Sequence, residues 1–252
     1  VRTGASMFYF AKGDNVKSAA DNFSHQVCQA FEKKRKNRKK LAIDKIMLDG
    51  FKSLESRDFK IENGEKIMEH ARSIKSAEEI KAMRCSISAC ETSIHVMEKE
   101  TKPGMTENDI WSILHSENIK RGGEWIETRL LSSGTKTNPW FQECGSRILQ
   151  NNEIVAFDTD LVGCYSICTD ISRTWWIGDQ EPTKEMKQDY QIALEHIQKN
   201  AELVAPGVHF KDLTFKGHQL DDMYKKQQYS CRFHGVGPVS YTHLTLPTNR
   251  EV

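Results

Sequence analysis

The stretch Ile154-Val155-Ala156-Phe157-Asp158-Thr159-Asp160 is an apolar run that ends in two acids two residues apart. Side chains alternate along a strand, so Asp158 and Asp160 fall on one face. Two like charges there are costly unless something positive sits between them, and a bound cation is the natural compensation. Gly163 is expected to turn the chain, which returns with Asp170 ten positions after Asp160, at the start of a β-branched run. A hairpin of that length can place all three carboxylates together. Asp at strand ends is also common turn chemistry, so the second signal matters. It is His234, in Phe233-His234-Gly235-Val236-Gly237, where glycines let a side chain approach a crowded site closely. Carboxylates plus imidazole form a hard-to-borderline donor set suited to Fe(II), Mn(II), Co(II) or Zn(II). The candidate metal ligands are therefore Asp158, Asp160, Asp170 and His234.

Strands and helices must hold these residues. Strand patterns run over 128–132, 153–160 and 171–177. Ser76-x-x-Glu79 is a capping-box pattern that opens a long amphipathic helix from Ala77 to about Glu100, with Ile80, Met83, Ile87, Cys90, Ile94 and Met97 at helical spacing. Pro103-Gly104 breaks the chain, and Thr106 caps a second helix that runs to about Gly122-Gly123. Two more are expected over 183–204 and 210–228, separated by Pro206-Gly207. Towards the N-terminus, 21–32 reads as helix and 41–46 as strand. Between them lies the basic run Lys33 to Lys40, which reads as a solvated helix end and not as a nucleic-acid patch. Elements come in clusters, which implies an α+β fold and not a doubly wound sheet. Arg173 is expected to be the buried partner of a strand carboxylate.

The 252 residues carry 36 Lys+Arg and 35 Asp+Glu, a net charge of +1, so nothing global draws the chain to nucleic acid or to an anionic membrane. Mean hydropathy is −0.62, and no apolar stretch reaches the length of a membrane span. The seven cysteines are odd in number, scattered and without a C-x-x-C pair, which favours reduced thiols and a cytoplasmic setting.

Asp160, then Asp170 within Thr169-Asp170-Ile171-Ser172-Arg173-Thr174, then His-Gly-Val-Gly after two helices, resembles the methionine aminopeptidase/creatinase/prolidase superfamily with its pita-bread fold. Arg72-Ser73-Ile74-Lys75-Ser76-x-x-Glu79 and Pro103-Gly104-x-Thr106-Glu107 are also similar to that family. The resemblance covers about Ala71 to Gly237. It implies a dinuclear metal site of Asp, Asp, His and two Glu, with both glutamates on strands downstream of the His. The expected organisation is a partial N-terminal domain over 1–70 and a partial catalytic domain over 71–238. The final stretch, 239–252 (VSYTHLTLPTNREV), resembles a translated sequencing adaptor. A chain lacking the two glutamates should hold metal weakly and be inactive by itself.

Peptidases of this superfamily usually carry a His a few residues after a Ser-Gly near the first strand. Here Ser133-Gly134 is followed by Trp140 and Phe141 and no His, which weighs against peptide hydrolysis. The segments 125–131, 138–145 and 157–161 are instead similar to the DddP-type dimethylsulfoniopropionate lyases, which have an additional Asp matching Asp158. That resemblance implies β-elimination to dimethyl sulfide and acrylate at a dinuclear divalent metal, iron first, with Mn, Co or Zn as alternatives. Trp140, Phe141 and Tyr229 are the candidates to hold the sulfonium by cation–π attraction, against aromatic core packing as the plain alternative. The catalytic base is expected beyond residue 238. An Xaa-Pro metallopeptidase and a non-catalytic binding module stay open as alternatives. The expected partner is a small-molecule substrate, with no nucleic acid or membrane, and a homodimer is common in the superfamily.

Overall fold

A computed structural model of the chain describes residues 7–34, 39–229 and 231–237. The chain divides into two units, Val1–Arg72 and Ser73–Val252. In the first, α1 (Val16–Lys34) extends the expected helix at both ends, and β1 (Lys40–Ile43) and β2 (Lys60–Asn63) pair in parallel with α2 (Leu48–Glu55) between them. β1 is shorter than its apolar pattern. Gly64 N–H caps it by donating to Ile43 O at 2.9 Å, and a Cβ at Gly64 would lie 2.9 Å from the Ile43 backbone. Of the basic run, 35–38 lie outside the described residues; Lys40 meets Glu62 across the strands at 2.9 Å on an exposed surface. The unit closes with α3 (Glu65–Ser73).

The second unit opens with α4 (Ala77–Glu100). The Ser76 side chain accepts from Glu79 N–H while Glu79 accepts from Ser76 N–H, the reciprocal capping that the sequence predicts. Thr106 and Asp109 cap α5 (Glu107–Lys120) in the same way. Helix α4 buries Cys90, Ile94 and Met97, while Ile80 and Ile87 of the same apolar series are exposed. Its C-terminal half and α5 pack on one antiparallel sheet. In that sheet β5 (Glu153–Val162) pairs along its whole length with β6 (Cys168–Ile177). Its other edge takes two short strands, β3 (Trp125–Ile126) and β4 (Leu131–Ser133).

The single strand expected over 128–132 is thus broken. Arg129 O accepts from both Leu131 N at 2.9 Å and Cys144 N at 2.8 Å, a tight turn that interrupts the ladder. Val155, Phe157 and Leu161 of β5 join Ile110, Trp111 and Leu114 of α5 in the core. The alternate residues of β5 face away from those helices and are only part-buried.

After β6, Thr183 caps α6 (Lys184–Ala201). The helix expected over 210–228 is instead two short ones, α7 (Phe210–Phe215) and α8 (Asp222–Lys225). The break is enforced by Asn200, whose buried Oδ1 accepts from His218 N–H at 2.9 Å. A Cβ at the intervening Gly217 would sit 2.9 Å from Leu213 O and 3.0 Å from that Asn200 oxygen, so only glycine passes there. No helix among the described residues is long and apolar enough to cross a membrane.

Candidate metal centre and aromatic loop

The β5–β6 hairpin aligns Asp160 with Asp170 as direct cross-strand partners, and Asp158 with Ser172. All lie on the sheet face turned away from α4 and α5. The connection differs in detail from the expectation at Gly163. The left-handed positions are Tyr165 and Ser166, with φ of 64° and 55°. Gly163 is required for a different reason: a Cβ there would lie 2.0 Å from Ser86 Oγ. Ser86 is the buried residue that ties α4 to this turn, donating to Ile167 O at 3.0 Å.

The Asp158 carboxyl is pushed up to about 6, first by burial and then by the charges of Asp170 and Asp160. Two hydrogen bonds oppose this, one from Ser172 Oγ at 2.8 Å and one from Thr159 N–H at 3.1 Å. His234 Nε2 lies 3.1 Å from Asp170 Oδ2. The glycine-rich segment reaches it because Gly237 O accepts from Cys168 N–H at 2.8 Å, which lays residues 234–237 beside the start of β6. Three carboxylates and an imidazole on one sheet face match a divalent cation in charge and in donor type. The fit is partial: among the described residues no three His, Cys, Asp or Glu side chains close around one point as a metal cage would.

The three aromatic candidates form a second group. Phe141 stands between Trp140 and Tyr229, with ring centroids 6.2 and 5.4 Å away. They are not core residues, since Trp140, Phe141 and Tyr229 are 37%, 52% and 57% exposed. Phe141 sits at φ 70°, a left-handed conformation that is strained for a bulky side chain. Asn138 and Gln227 make a long polar contact of 3.5 Å nearby.

The expectation for Arg173 is corrected. It is half exposed and pairs with Glu91 of α4 at 3.1 Å, because it projects from β6 towards the helix layer, whereas the strand carboxylates lie on the opposite face. Two residues that sequence reasoning missed matter here. Ser172 is found only through the strand register, and Glu107 only through its burial, since a Glu in the first turn of a helix ordinarily faces water.

The chain matches the model of metallopeptidase family M24 over residues 81–248. It is 52% identical over 241 residues to a protein of Roseovarius nubinhibens named dimethylsulfoniopropionate lyase DddP, and equally to one of that name in Roseobacter denitrificans. Each alignment covers 94% of this chain and 54% of the relative, so the chain spans about half the length of these curated relatives. A Staphylococcus aureus protein named as an uncharacterized peptidase is 29% identical over 174 residues, covering 66% of this chain and 47% of its own length. Among solved structures, the prolidase of Pyrococcus horikoshii superposes with a TM-score of 0.72 at 19% identity, over 90% of this chain and 64% of that one. The X-Pro aminopeptidase of Thermotoga maritima gives 0.69 at 21%, over 90% and 66%. These two likenesses establish the α+β pita-bread architecture. The stretch 239–252 lies outside the described residues, although the family match enters it.

Proposed function

Because the chain belongs to metallopeptidase family M24, whose members use metal ions, we propose that it is the scaffold of a metal-dependent carbon–sulfur lyase acting on dimethylsulfoniopropionate. One observation carries this reading. Identity to the two named lyases is 52% across 94% of the chain, against 29% to the named peptidases. The absence of a His after Ser133-Gly134, where Trp140 and Phe141 stand instead, supports it.

In this reading Asp158, Asp160, Asp170 and His234 are the chain's share of a dinuclear divalent metal site, with iron as the first candidate. The metal would supply positive charge for the substrate carboxylate and for the enolate-like charge that develops on it. The reaction is a β-elimination. A base takes the proton α to the carboxylate, the β carbon–sulfur bond breaks, and its electron pair leaves on neutral dimethyl sulfide while acrylate remains. Trp140, Phe141 and Tyr229 hold the cationic sulfonium by their ring faces. The 3.1 Å spacing of His234 Nε2 from Asp170 Oδ2 brings these two donors to one point of that site. The seven free cysteines support a reducing, cytoplasmic setting, and the superfamily resemblance supports a homodimer.

The test is headspace dimethyl sulfide released from dimethylsulfoniopropionate by the iron-loaded protein at the full length of its relatives, beside an Asp160→Ala control. Release that disappears in the control is expected. A folded, metal-loaded protein that releases none, yet hydrolyses an Xaa-Pro dipeptide, would overturn the lyase in favour of the peptidase.

A further inference from the structure

Glu107, the first residue of α5, is fully buried, and nearly everything its carboxylate touches belongs to a single loop. Oε1 accepts from Ser133 N–H and from Ser133 Oγ, both at 2.9 Å. Oε2 accepts from Lys136 Nζ at 2.6 Å and from Gly145 N–H at 3.1 Å. One carboxylate therefore grips both ends of the segment from Ser133 to Gly145, whose tip carries Trp140 and Phe141. Lys136 braces the same loop internally by donating to Glu143 O at 2.8 Å.

On the sheet side the base of the loop is held by Arg147. It donates to Ser133 Oγ at 2.5 Å and grips Glu153 with both nitrogens, at 2.7 and 2.6 Å. The first turn of the loop presses on that pair so closely that a Cβ at Gly134, φ 55°, would lie 2.4 Å from Glu153 Oε2. The four charges alternate in sign, so each of the two buried carboxylates meets a cation whose own side chain stays partly exposed.

An exposed loop with little regular structure ordinarily samples many conformations, whereas a cation–π site requires ring faces fixed within a few ångströms. We propose that Glu107 is a positioning residue that closes the base of this loop and thereby sets the Trp140–Phe141 pair for binding a sulfonium or other methylated onium group. This deepens the lyase reading and rests on it for the identity of the ligand, but not for the ordering of the loop.

Two readouts separate these. The first needs no substrate: acrylamide quenching of the Trp140 emission, isolated as the difference between the chain and its Trp140→Phe variant, with and without Glu107→Gln. The Trp140 component should become roughly twofold more quenchable, while the remaining tryptophans are unchanged. The second is steady-state turnover of dimethylsulfoniopropionate by the full-length protein, where Glu107→Gln should raise KM roughly tenfold and leave kcat within about twofold. If Glu107→Gln does not fold, Lys136→Met, which removes only the partly exposed member of the pair, should move both readouts in the same direction. Unchanged Trp140 quenching in a folded variant overturns the proposal, as does a loss of kcat at constant KM. A wild-type protein without lyase turnover sinks the lyase reading alone, and the quenching arm still decides the role of Glu107.

Discussion

Asp160 and Asp170 oppose each other directly across the β5–β6 ladder, and His234 Nε2 lies 3.1 Å from the Asp170 carboxylate. Like charges placed opposite one another in a sheet cost about 0.2–1 kcal/mol. Here Asp158 adds a third, on the same face.

The cost should be visible as stability. In chelator, Asp158→Asn is expected to raise the melting temperature of the chain by roughly 2–4 °C, since burial and the charges of Asp170 and Asp160 disfavour its ionised form and an amide oxygen still accepts from Ser172 Oγ. Added Mn(II) should raise the melting temperature of the parent chain and have a smaller effect on the variant, because ligand binding to the folded state alone stabilises by mass action. Melts in chelator and in millimolar metal check this. A variant that is less stable than the parent in chelator would mean the three acids are not repelling one another.

The Arg147–Glu153 pair makes a prediction with a sign in pH. Burial works to raise the Glu153 carboxyl, but the Arg147 hydrogen bonds and the Gln150 N–H outweigh it and hold the group below its ordinary 4.5. A carboxyl depressed in the folded state contributes stability above its unfolded value and loses it as pH falls through the folded one. Arg147→Met should therefore cost about 1–3 kcal/mol at pH 7. The gap to the parent should narrow as pH is lowered from 4.5 through the depressed value. Denaturant melts at several pH values measure it; a gap independent of pH would refute the ionic origin.

Thiol reactivity separates buried from exposed cysteines. Burial pushes the Cys90 thiol up to about 11, and burial together with Asp160 and Asp170 pushes Cys168 to about 12. The thiolate is the reactive form, so both should resist a chromogenic disulfide reagent in the native chain. Cys85, exposed on α4, should react first. Peptide mapping after a short pulse identifies the modified site, and early labelling of Cys168 would contradict the packing of β6.

Local rules that need no tertiary partner were legible in the sequence. The capping residues Ser76 and Thr106 fixed the starts of α4 and α5, and strand alternation placed Asp158 and Asp160 on one face. What escaped was decided by contacts distant in sequence. Asn200 draws in the His218 N–H and splits the helix expected over 210–228. Ser86 makes Gly163 necessary, although Tyr165 and Ser166 make the turn. Glu107 stands in the first turn of a helix, where an acid ordinarily faces water, and the partners that bury it lie 26 to 38 residues downstream. Arg173, three residues beyond Asp170, shares its face with the core residue Phe157 and so meets Glu91 of α4 and not a strand carboxylate.

Tyr229 offers the sharpest test of the aromatic group, since it comes from a different part of the chain than Trp140 and Phe141 yet its ring lies 5.4 Å from that of Phe141, the two planes tilted at 46°. If the group holds a sulfonium, the gain depends on the ring face and on the positive charge, and amounts to about 0.5–2 kcal/mol. Tyr229→Phe keeps the face and should change KM for dimethylsulfoniopropionate little. Tyr229→Leu keeps bulk without the face and should raise KM roughly 2- to 30-fold. The control is the uncharged thioether 3-(methylthio)propionate as a competitive inhibitor. It shares the carboxylate and carbon chain but lacks the positive charge, so its inhibition constant should be nearly the same in both variants. An equal loss for the charged and uncharged molecules would mean that Tyr229 shapes the site by packing and that cation recognition lies elsewhere.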